Sequence, residues 1–362
     1  MCESQSKYQN IALPGASPNG GALFFMVFLA YIVCMSIKTV SAFLEGKIEV
    51  LEKGVPNHTE TVISDVFVFN DFAYKVYKSD STFFNENFSD LSSKENRFDF
   101  TRADFEWNNK LSPEIYLELK GLSVNGVVPT IGDPTDNADE LVIVMKKIDM
   151  SDQLIKKLHN KTITISDCEN IGEQLAKKLS ELPLSNSEQT VYSDFLSRHK
   201  DIQPWIKTVD KYIPEKLARK YQEFVKEYIE ANKDEFNSPN EMGMCADIHA
   251  DNAIYKNGEF YPIDSYAPKK DWLHGYKFIN LYRVATDIYN FLGKEGFNAV
   301  IEAYQKSSSE EVPRRHDKFL AIYCQLINWP YQYMLAEKES WRLDIADRYG
   351  KAVEEIYSND NF

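Results

Sequence analysis

The stretch Met244–Asp264, MCADIHADNAIYKNGEFYPID, combines a turn signal with three oxygen-bearing side chains in a fixed order. Asp247 comes first, Asn252 follows five residues later, and Asp264 lies twelve residues beyond Asn252. Between the last two, Asn257-Gly258 separates two short runs that are rich in apolar and aromatic residues. An Asn-Gly pair in such surroundings is the strongest short-range signal for a β-hairpin. The sequence therefore predicts a hairpin that starts beside Asn252 and ends beside Asp264.

The predicted hairpin also fixes which residues face one another. A turn centred on the Asn-Gly pair sets Ala253 opposite Pro262 and Asn252 opposite Ile263. Asn252 is thereby brought back to within about one residue of Asp264. The first aspartate of the trio lies in the loop just upstream of the hairpin.

A carboxylate, an amide and a second carboxylate suit phosphoryl transfer when they gather at one place. That chemistry needs one carboxylate that accepts a hydroxyl proton, and an amide and a carboxylate that hold Mg²⁺ on the nucleotide phosphates. Asp and Asn are also common turn residues, so the D-x4-N spacing alone is weak and the hairpin strengthens it. A competing interpretation takes Asp247, His249 and Asp251 as transition-metal ligands on one face of a strand. It leaves Asn252 and Asp264 without a role.

Size and composition indicate a globular protein with a large core. The chain has 362 residues, of which 43% are hydrophobic and 13% aromatic, and this length is enough for two lobes. The net charge of −14 argues against a nucleic-acid backbone as the main partner and is compatible with a cationic substrate. Five scattered cysteines without a C-x-x-C pair favour a reducing cytoplasm over a disulfide scaffold.

The N-terminal segment, residues 1–35, stands apart from the rest of the chain. Residues 1–21 are polar and rich in Gly, Pro and Ser, which is typical of disorder. Residues 22–37 are an apolar run of sixteen residues, short of the ~20 that a membrane-spanning helix needs. A short anchor and an over-extended reading frame ahead of a start at Met35 both account for this run. Any association with a membrane is expected through residues 22–37 alone, with the remainder of the chain in the cytoplasm.

A lysine on a predicted strand is the next candidate. Lys75 lies between apolar neighbours in Phe72–Tyr77. Such a lysine is ordinarily an exposed edge residue, but a kinase needs a strand lysine on the α- and β-phosphates, paired with an acid from a helix. The charged segment Lys94–Leu111 is predicted as that helix, with Asp104 and Glu106 as the candidate acids. These two lie about 200° apart around a helix, so only one of them can face the strand.

Strands dominate the first third of the chain and helices the remainder. A second Asn-Gly hairpin is expected over residues 117–131, and a buried strand at Leu141–Met145 leads into a hinge at residues 146–148. Beyond the hinge, helical patterns recur at Ile171–Leu182, at Ile202–Asn232 with a break at Pro214, at Leu281–Leu292, at Phe297–Gln305, from His316 to Glu337 and from Trp341 to Tyr357. The sequence thus predicts an α+β fold with two lobes, a small β-rich N-lobe (residues 36–147) and a larger helical C-lobe (residues 148–362).

Four segments in register resemble the aminoglycoside phosphotransferase and choline kinase-like superfamily. AYKVYK resembles a strand-lysine segment, NNKLSPEIYL resembles N-R-R-L-A-P-x-x-Y-L, CADIHADN resembles the loop H-G-D-L-H-x-x-N, and YPID resembles the strand that ends in a metal-binding aspartate. The similarity is to a bacterial branch labelled aminoglycoside phosphotransferase family enzyme, and it runs from about residue 35 to about residue 335. It implies a two-lobed, protein kinase-like fold and transfer of phosphate from ATP, with Mg²⁺, to a hydroxyl of a small molecule.

The same resemblance implies roles for residues of the C-lobe. Asp247 corresponds to the catalytic base, and Asn252 and Asp264 correspond to the Mg²⁺ ligands. His249 is expected to support the base. Asp287, a lone acid on an apolar helix face, is expected to brace the catalytic loop.

Roles for the N-lobe follow in the same way. Lys75 is expected on the ATP phosphates, and the register of NNKLSP favours Asp104 over Glu106 as its partner. Ser64 is expected in the turn that covers the nucleotide, and the hinge backbone around Met145 and Lys147 is expected to read the adenine edge.

Two departures from the family pattern leave alternatives open. Cys245-Ala246 replaces the His-Gly pair ahead of the catalytic aspartate, so a packing and hydrogen-bonding residue is lost. The turn Ile63-Ser64-Asp65 has no glycine, which weakens backbone cradling of phosphates. One alternative keeps the fold and transfers phosphate or AMP to a protein side chain. The other is a nucleotide-binding pseudoenzyme that serves as a scaffold, which the Cys245-Ala246 change favours.

Overall fold

The front part of the molecule is built on one antiparallel sheet. The computed structural model describes residues 38–48, 52–124 and 128–362. Within them six strands pair in the order β1-β2-β3-β6-β4-β5. These strands are β1 Asn57–Glu60, β2 Ser64–Val68, β3 Phe72–Tyr77, β4 Tyr116–Ser123, β5 Thr130–Gly132 and β6 Glu140–Lys146.

The alternation of side chains along β3 sorts the two faces of this sheet. Tyr74 and Val76 point to the face that is covered by helical residues 38–44, where Phe43 stacks on Phe67 with 4.1 Å between ring centroids. The residues between them therefore point to the opposite face. There Tyr77 packs in a second apolar cluster that the hairpin strands of the C-lobe complete. Lys75 lies on this same face, so the strand directs it toward the C-lobe.

Two helices lie between β3 and β4. They are α1 Thr82–Asn87 and α2 Lys94–Leu111. Helix α2 begins after Ser93, whose hydroxyl accepts a hydrogen bond from the backbone N–H of Asn96, as a good N-cap does. It buries one side against the sheet and contributes Trp107 and Leu111 to the core of the rear part.

The rear part is mainly helical. Its helices are α3 Leu154–His159, α4 Ile165–Ser180, α5 Val191–Thr208, α6 Glu215–Ala231, α7 Lys233–Phe236, α8 Ile279–Ser308, α9 Asp317–Ala336 and α10 Arg342–Ser358. Two small antiparallel pairs interrupt them, β7 Met242–Met244 with β10 His274–Tyr276 and β8 Ala253–Lys256 with β9 Glu259–Pro262. Helix α8 is kinked at Gly293, which has a left-handed φ of 64°. One continuous apolar core joins these elements.

The predicted α+β, two-lobed architecture is confirmed, and several element predictions hold in detail. The strand Phe72–Tyr77 and the helix Lys94–Leu111 have the predicted bounds. The expected long helix at 202–232 is two helices, α5 and α6, which are separated at the predicted break. Strand β1 was not predicted because all four of its residues are exposed, so burial imposes no alternation on them.

Two sequence predictions fall partly or wholly outside the described residues. The second Asn-Gly hairpin pairs β4 with β5 as expected, while its turn, residues 125–127, lies outside them. The apolar run at residues 22–37 also lies outside them. Over the part of the chain that the structure describes, no helix has the length and apolarity to cross a membrane.

Candidate active site

The hairpin that organises the site has the predicted register. Ala253 lies opposite Pro262, and the backbone N–H of Ile263 donates to the carbonyl oxygen of Asn252 over 2.9 Å. Its turn, residues 257–258, has φ values of 52° and 81°. Two positive φ angles make a type I′ turn, which is the reason an Asn-Gly pair is favoured there. The hairpin prediction is therefore confirmed.

Asn252 ties the two ends of the hairpin region together through its amide nitrogen. Nδ2 donates to the backbone oxygen of Asp247 over 3.0 Å, to Oδ2 of Asp247 over 3.3 Å and to the backbone oxygen of Asp264 over 3.2 Å. With the nitrogen directed at these acceptors, the amide oxygen meets no donor among the described residues. An oxygen in that position fits the ligand set that Mg²⁺ prefers.

Asp264 is held in a strained conformation by the N-lobe. Its φ is 47°, a left-handed value that is uncommon for a residue other than glycine. Its backbone N–H donates to the hydroxyl of Tyr116 over 2.8 Å. The following residue, Ser265, donates through both N–H and Oγ to Oδ1 of Asn108, over 2.9 and 2.8 Å. Strand β4 and helix α2 thus fix the position of the Asp264 carboxylate, which remains 54% exposed.

Lys75 bridges the two lobes. Its Nζ donates to Oδ1 of Asp264 over 2.8 Å and lies 3.6 Å from Oδ2 of Asp104. Asp104 is buried and Glu106 is exposed, so it is Asp104 that faces the strand. Burial disfavours the charged form of Lys75, but the two carboxylates raise its pKa well above the ordinary value. The ammonium therefore stays charged at neutral pH.

Asp247 is paired with an arginine that the sequence reasoning missed. Its Oδ1 accepts a hydrogen bond from Nη1 of Arg283, and its Oδ2 lies 4.0 Å from Nε2 of His249. Burial alone would raise the pKa of Asp247, but Arg283 and His249 outweigh it and lower the pKa below the ordinary value. The carboxylate is therefore ionised at neutral pH, and 28% of its side chain is exposed.

Asp287 contacts the backbone of this loop. Its Oδ2 accepts from the backbone N–H of Ala250 over 2.7 Å, and its Oδ1 accepts from Nδ2 of Asn328 and the hydroxyl of Tyr349, over 2.9 and 2.7 Å. Asp287 is 1% exposed. His249 is buried in the same loop. These contacts fix the backbone of the loop at Ala250, and the supporting roles of Asp287 and His249 stay predictions.

Asn280 hydrogen-bonds the backbone on both sides of Cys245. Its Oδ1 accepts from the backbone N–H of Ala246 over 2.9 Å, and its Nδ2 donates to the carbonyl oxygen of Met244 over 3.0 Å. Cys245 itself is buried, and burial raises the pKa of its thiol to about 12, so it stays neutral. A side chain of helix α8 therefore anchors the backbone that leads to Asp247.

The transition-metal interpretation of the same loop does not fit its conformation. Ala250–Asn252 form a single turn of 3₁₀ helix rather than a strand, so strand alternation does not apply. The Asp251 carboxylate accepts from Nη1 of Arg342 over 2.6 Å and from Nε2 of Gln332 over 2.5 Å. No group of three His, Cys, Asp or Glu side chains suited to a metal occurs over the described ranges.

The remaining nucleotide-binding candidates differ in position. Ser64 is 1% exposed, and its hydroxyl is hydrogen-bonded to that of Thr61 over 2.9 Å, so it lies within its own turn. Met145 is half-buried beside the second apolar cluster. Lys147 is exposed, and its backbone N–H donates to the carbonyl oxygen of Asp71 over 2.7 Å. The contacts gather the lysine, the three acids and the asparagine, and the nucleotide-binding roles of Ser64, Met145 and Lys147 stay predictions.

Several residues that support the site were not predicted, and they differ in how clearly the sequence indicated them. Asn108 and Tyr116, which grip the end of the hairpin, both belong to the segment NNKLSPEIYL. Ser112 of that segment also donates to the carbonyl oxygen of Pro262 over 2.7 Å. This segment thus holds the end of the hairpin in place. Its resemblance to N-R-R-L-A-P-x-x-Y-L was the signal that could have identified these contacts. No pattern in the sequence around Arg283 indicated that it would contact Asp247.

Several solved structures are similar to this chain. A choline/ethanolamine kinase family protein from Mesorhizobium loti matches at 13% identity with a TM-score of 0.48, over 85% of this chain and 90% of that chain. An ADP-bound aminoglycoside phosphotransferase matches at 11% with a TM-score of 0.40, over 84% and 95%. A glucosamine kinase matches at 9% with a TM-score of 0.46, over 85% and 76%. The chain matches no protein-family profile and no curated protein sequence. Its function therefore has to be argued from its own side chains.

Proposed function

We propose that this chain is a kinase-like enzyme that uses ATP and Mg²⁺ to phosphorylate a hydroxyl group of a small molecule. One observation carries the proposal. The ammonium of Lys75 lies 2.8 Å from Asp264 and 3.6 Å from Asp104, so the two lobes share one charged cluster. The amide of Asn252 joins Asp264 to Asp247 in the same cluster. Phosphoryl transfer depends mainly on positioning and charge stabilisation, which such a cluster supplies.

In this proposal Asp247 accepts or orients the proton of the acceptor hydroxyl. Its pKa lies below the ordinary value, so the carboxylate is in the accepting form at neutral pH. A positioned acid–base group of this kind contributes on the order of 10²–10⁴-fold in rate. His249 and Asp287 hold the loop that carries it.

The residues present also fit a magnesium ion. The amide oxygen of Asn252 and the half-exposed carboxylate of Asp264 would hold it, since Mg²⁺ binds through few protein oxygens. When bound, the ion offsets the charge that develops on the transferred phosphoryl group. Lys75 contacts the phosphates in this assignment, and Asp104 keeps the lysine oriented. The hinge backbone near Met145 and Lys147 would read the adenine.

The cellular site and the lobe boundary are further parts of the proposal. Cys168, Cys245 and Cys324 are buried and free, which supports a reducing compartment, the cytoplasm. The strand β6 ends at Lys146, which supports a hinge between an N-lobe of residues 36–147 and a C-lobe of residues 148–362.

Transfer of labelled γ-phosphate from ATP to a panel of small alcohols, amino sugars, hydroxy acids and phosphorylated alcohols tests the proposal. Transfer should require Mg²⁺, and Asp247→Asn should lower its rate by about 10²–10⁴-fold while ATP binding is retained. Asp210→Asn, at an exposed position of the rear part, is the control and should transfer at the parental rate.

Three outcomes would contradict this function. Equal transfer by Asp247→Asn and the parent would remove Asp247 from the chemistry. ATP binding with no transfer to any acceptor would favour the pseudoenzyme scaffold. Label found on added proteins, and on no small molecule, would favour a protein-modifying enzyme.

A further inference from the structure

We infer that the acceptor carries an anionic group, a carboxylate or a phosphate, close to the hydroxyl that is phosphorylated, and that Arg283 binds this anion. The inference rests on the proposed function, because it concerns the acceptor side of the same site. It makes Arg283 a specificity-determining residue.

Arg283 has more hydrogen-bond donors than its surroundings use. A guanidinium has five N–H donors in a planar fork. Nη1 donates to Oδ1 of Asp247, and Nη2 reaches Oδ1 of Asn328 only at 3.4 Å. The Nε atom is buried without a hydrogen-bond partner in the part of the chain that the structure describes. The buried Nε shows that the fold leaves this guanidinium incompletely paired, and the 13% of the side chain that is exposed is the part that a ligand can reach.

The position of Arg283 directs this capacity to the acceptor. Its guanidinium touches the carboxylate that is proposed to accept the hydroxyl proton. Some 13% of its side chain is exposed, and 28% of the Asp247 side chain, so the pair is reached by solvent. An anion that binds Arg283 therefore lies within a few atoms of the reacting hydroxyl. The fork of a guanidinium matches the paired oxygens of a carboxylate or a phosphate.

A second arginine of the same region shows what a purely structural pair looks like. Nη1 of Arg342 donates to Asp251 over 2.6 Å and to Oε1 of Gln332 over 3.0 Å, and its Nε donates to Glu339 over 2.6 Å. Its carboxylate partner is 4% exposed. Arg342 is thus surrounded by acceptors, whereas Arg283 is not.

The local charge argues against a cationic acceptor despite the overall charge of −14. A cation that approached Asp247 would also approach Arg283, and like charges at contact in a partly buried site repel strongly. An anion would share the guanidinium with Asp247 and leave that carboxylate nearer its ordinary basicity. The acceptor class is therefore decided by this pair and not by the net charge.

Calorimetry on the full chain, loaded with Mg²⁺ and a non-hydrolysable ATP analogue, tests the inference. The probes are glycerate, glycerol 3-phosphate and gluconate, with glycerol, sorbitol and ethanolamine as neutral and cationic counterparts. At least one anion should bind about tenfold or more tighter than its neutral counterpart, the free energy of one charge-assisted hydrogen bond. Glycerate and gluconate report on carboxylate recognition, and glycerol 3-phosphate on phosphate recognition.

Arg283→Gln should abolish this preference, Arg283→Lys should keep part of it, and Arg315→Gln, at an exposed ion pair, should leave it intact. Neutral or cationic probes that bind as tightly as the anions would overturn the inference, as would the absence of anion binding. If a variant fails to fold, the comparison of anionic with neutral and cationic probes on the parent protein decides the inference by itself. Failure of the ATP analogue to bind would count against the proposed function instead, whereas phosphorylation of neutral alcohols only would overturn the anionic acceptor and leave the phosphotransferase standing.

Discussion

Asp247 and Asp251 lie four residues apart in one loop, and each is paired with an arginine from the helical part of the chain. The pair of Asp251 with Arg342 is closed, because both partners are buried and glutamine and glutamate side chains take up further donors and acceptors. The pair of Asp247 with Arg283 is open, because solvent reaches both partners and a buried donor stays unpaired among the described residues.

The comparison shows two different uses of an aspartate–arginine ion pair. A closed pair fixes the backbone of the loop, and losing one partner leaves an uncompensated buried charge. An open pair keeps hydrogen-bonding capacity for a ligand and keeps its carboxylate within reach of a substrate. The loop between them is shared, so the closed pair holds the open one in position.

The largest expected effect on stability comes from breaking the closed pair. Arg342→Met leaves the buried Asp251 carboxylate without its cation and should lower the free energy of unfolding by about 3–5 kcal/mol. Urea titration followed by tryptophan fluorescence measures this. Arg283→Met is the matched variant, and it should lose less because Asp247 is 28% exposed and can be hydrated. If Arg283→Met lost more free energy of unfolding than Arg342→Met, the assignment of the Asp247 pair as open and the Asp251 pair as closed would be reversed.

A smaller effect is expected when the metal ligand is removed. Asn252→Ala takes away the amide oxygen proposed for Mg²⁺, so the Mg²⁺ concentration for half-maximal turnover should rise about tenfold or more. Titration of turnover with Mg²⁺ at saturating ATP measures it. Asn170→Ala is the control, because Asn170 holds the far end of the same hairpin through the carbonyl oxygen of Gly258. An equal shift for both variants would show a general loosening of the hairpin.

The smallest effect concerns the turn of that hairpin. Gly258 has a φ of 81°, so Gly258→Ala forces a side chain into left-handed space and should cost about 1 kcal/mol of stability. Gly132→Ala, where an added methyl group meets nothing within 4 Å, is the control. Thermal unfolding of both variants checks the difference. Equal midpoints would mean that the turn relaxes without strain.

Local chemistry in the sequence was sufficient for much of the fold. The Asn257-Gly258 pair predicted the hairpin and its register, because a type I′ turn demands residues that tolerate positive φ. Pro214 indicated the break between two helices, because proline is tolerated where a helix begins, and it is the N-cap residue of α6. The aromatic and β-branched residues of Phe72–Tyr77 predicted the strand that carries Lys75.

The sequence could not predict contacts between residues that lie far apart along the chain. Arg283 meets Asp247 from 36 residues away, and Arg342 meets Asp251 from 91 residues away. No period or turn signal records such pairings, since each depends on how the helices pack. The sequence therefore predicted which side chains gather in the cluster, but it did not predict the contacts that support them.

The central claim is that the open pair serves chemistry and the closed pair serves structure. Parallel measurement of phosphate transfer from ATP and of the free energy of unfolding, for Asp247→Asn and Asp251→Asn, tests it most directly. Asp247→Asn should lose transfer by about 10²–10⁴-fold and should lose less stability than Asp251→Asn, while Asp251→Asn should keep transfer per folded molecule within a few-fold. Transfer by Asp247→Asn at the parental rate, or a loss of transfer without loss of stability in Asp251→Asn, would contradict the account.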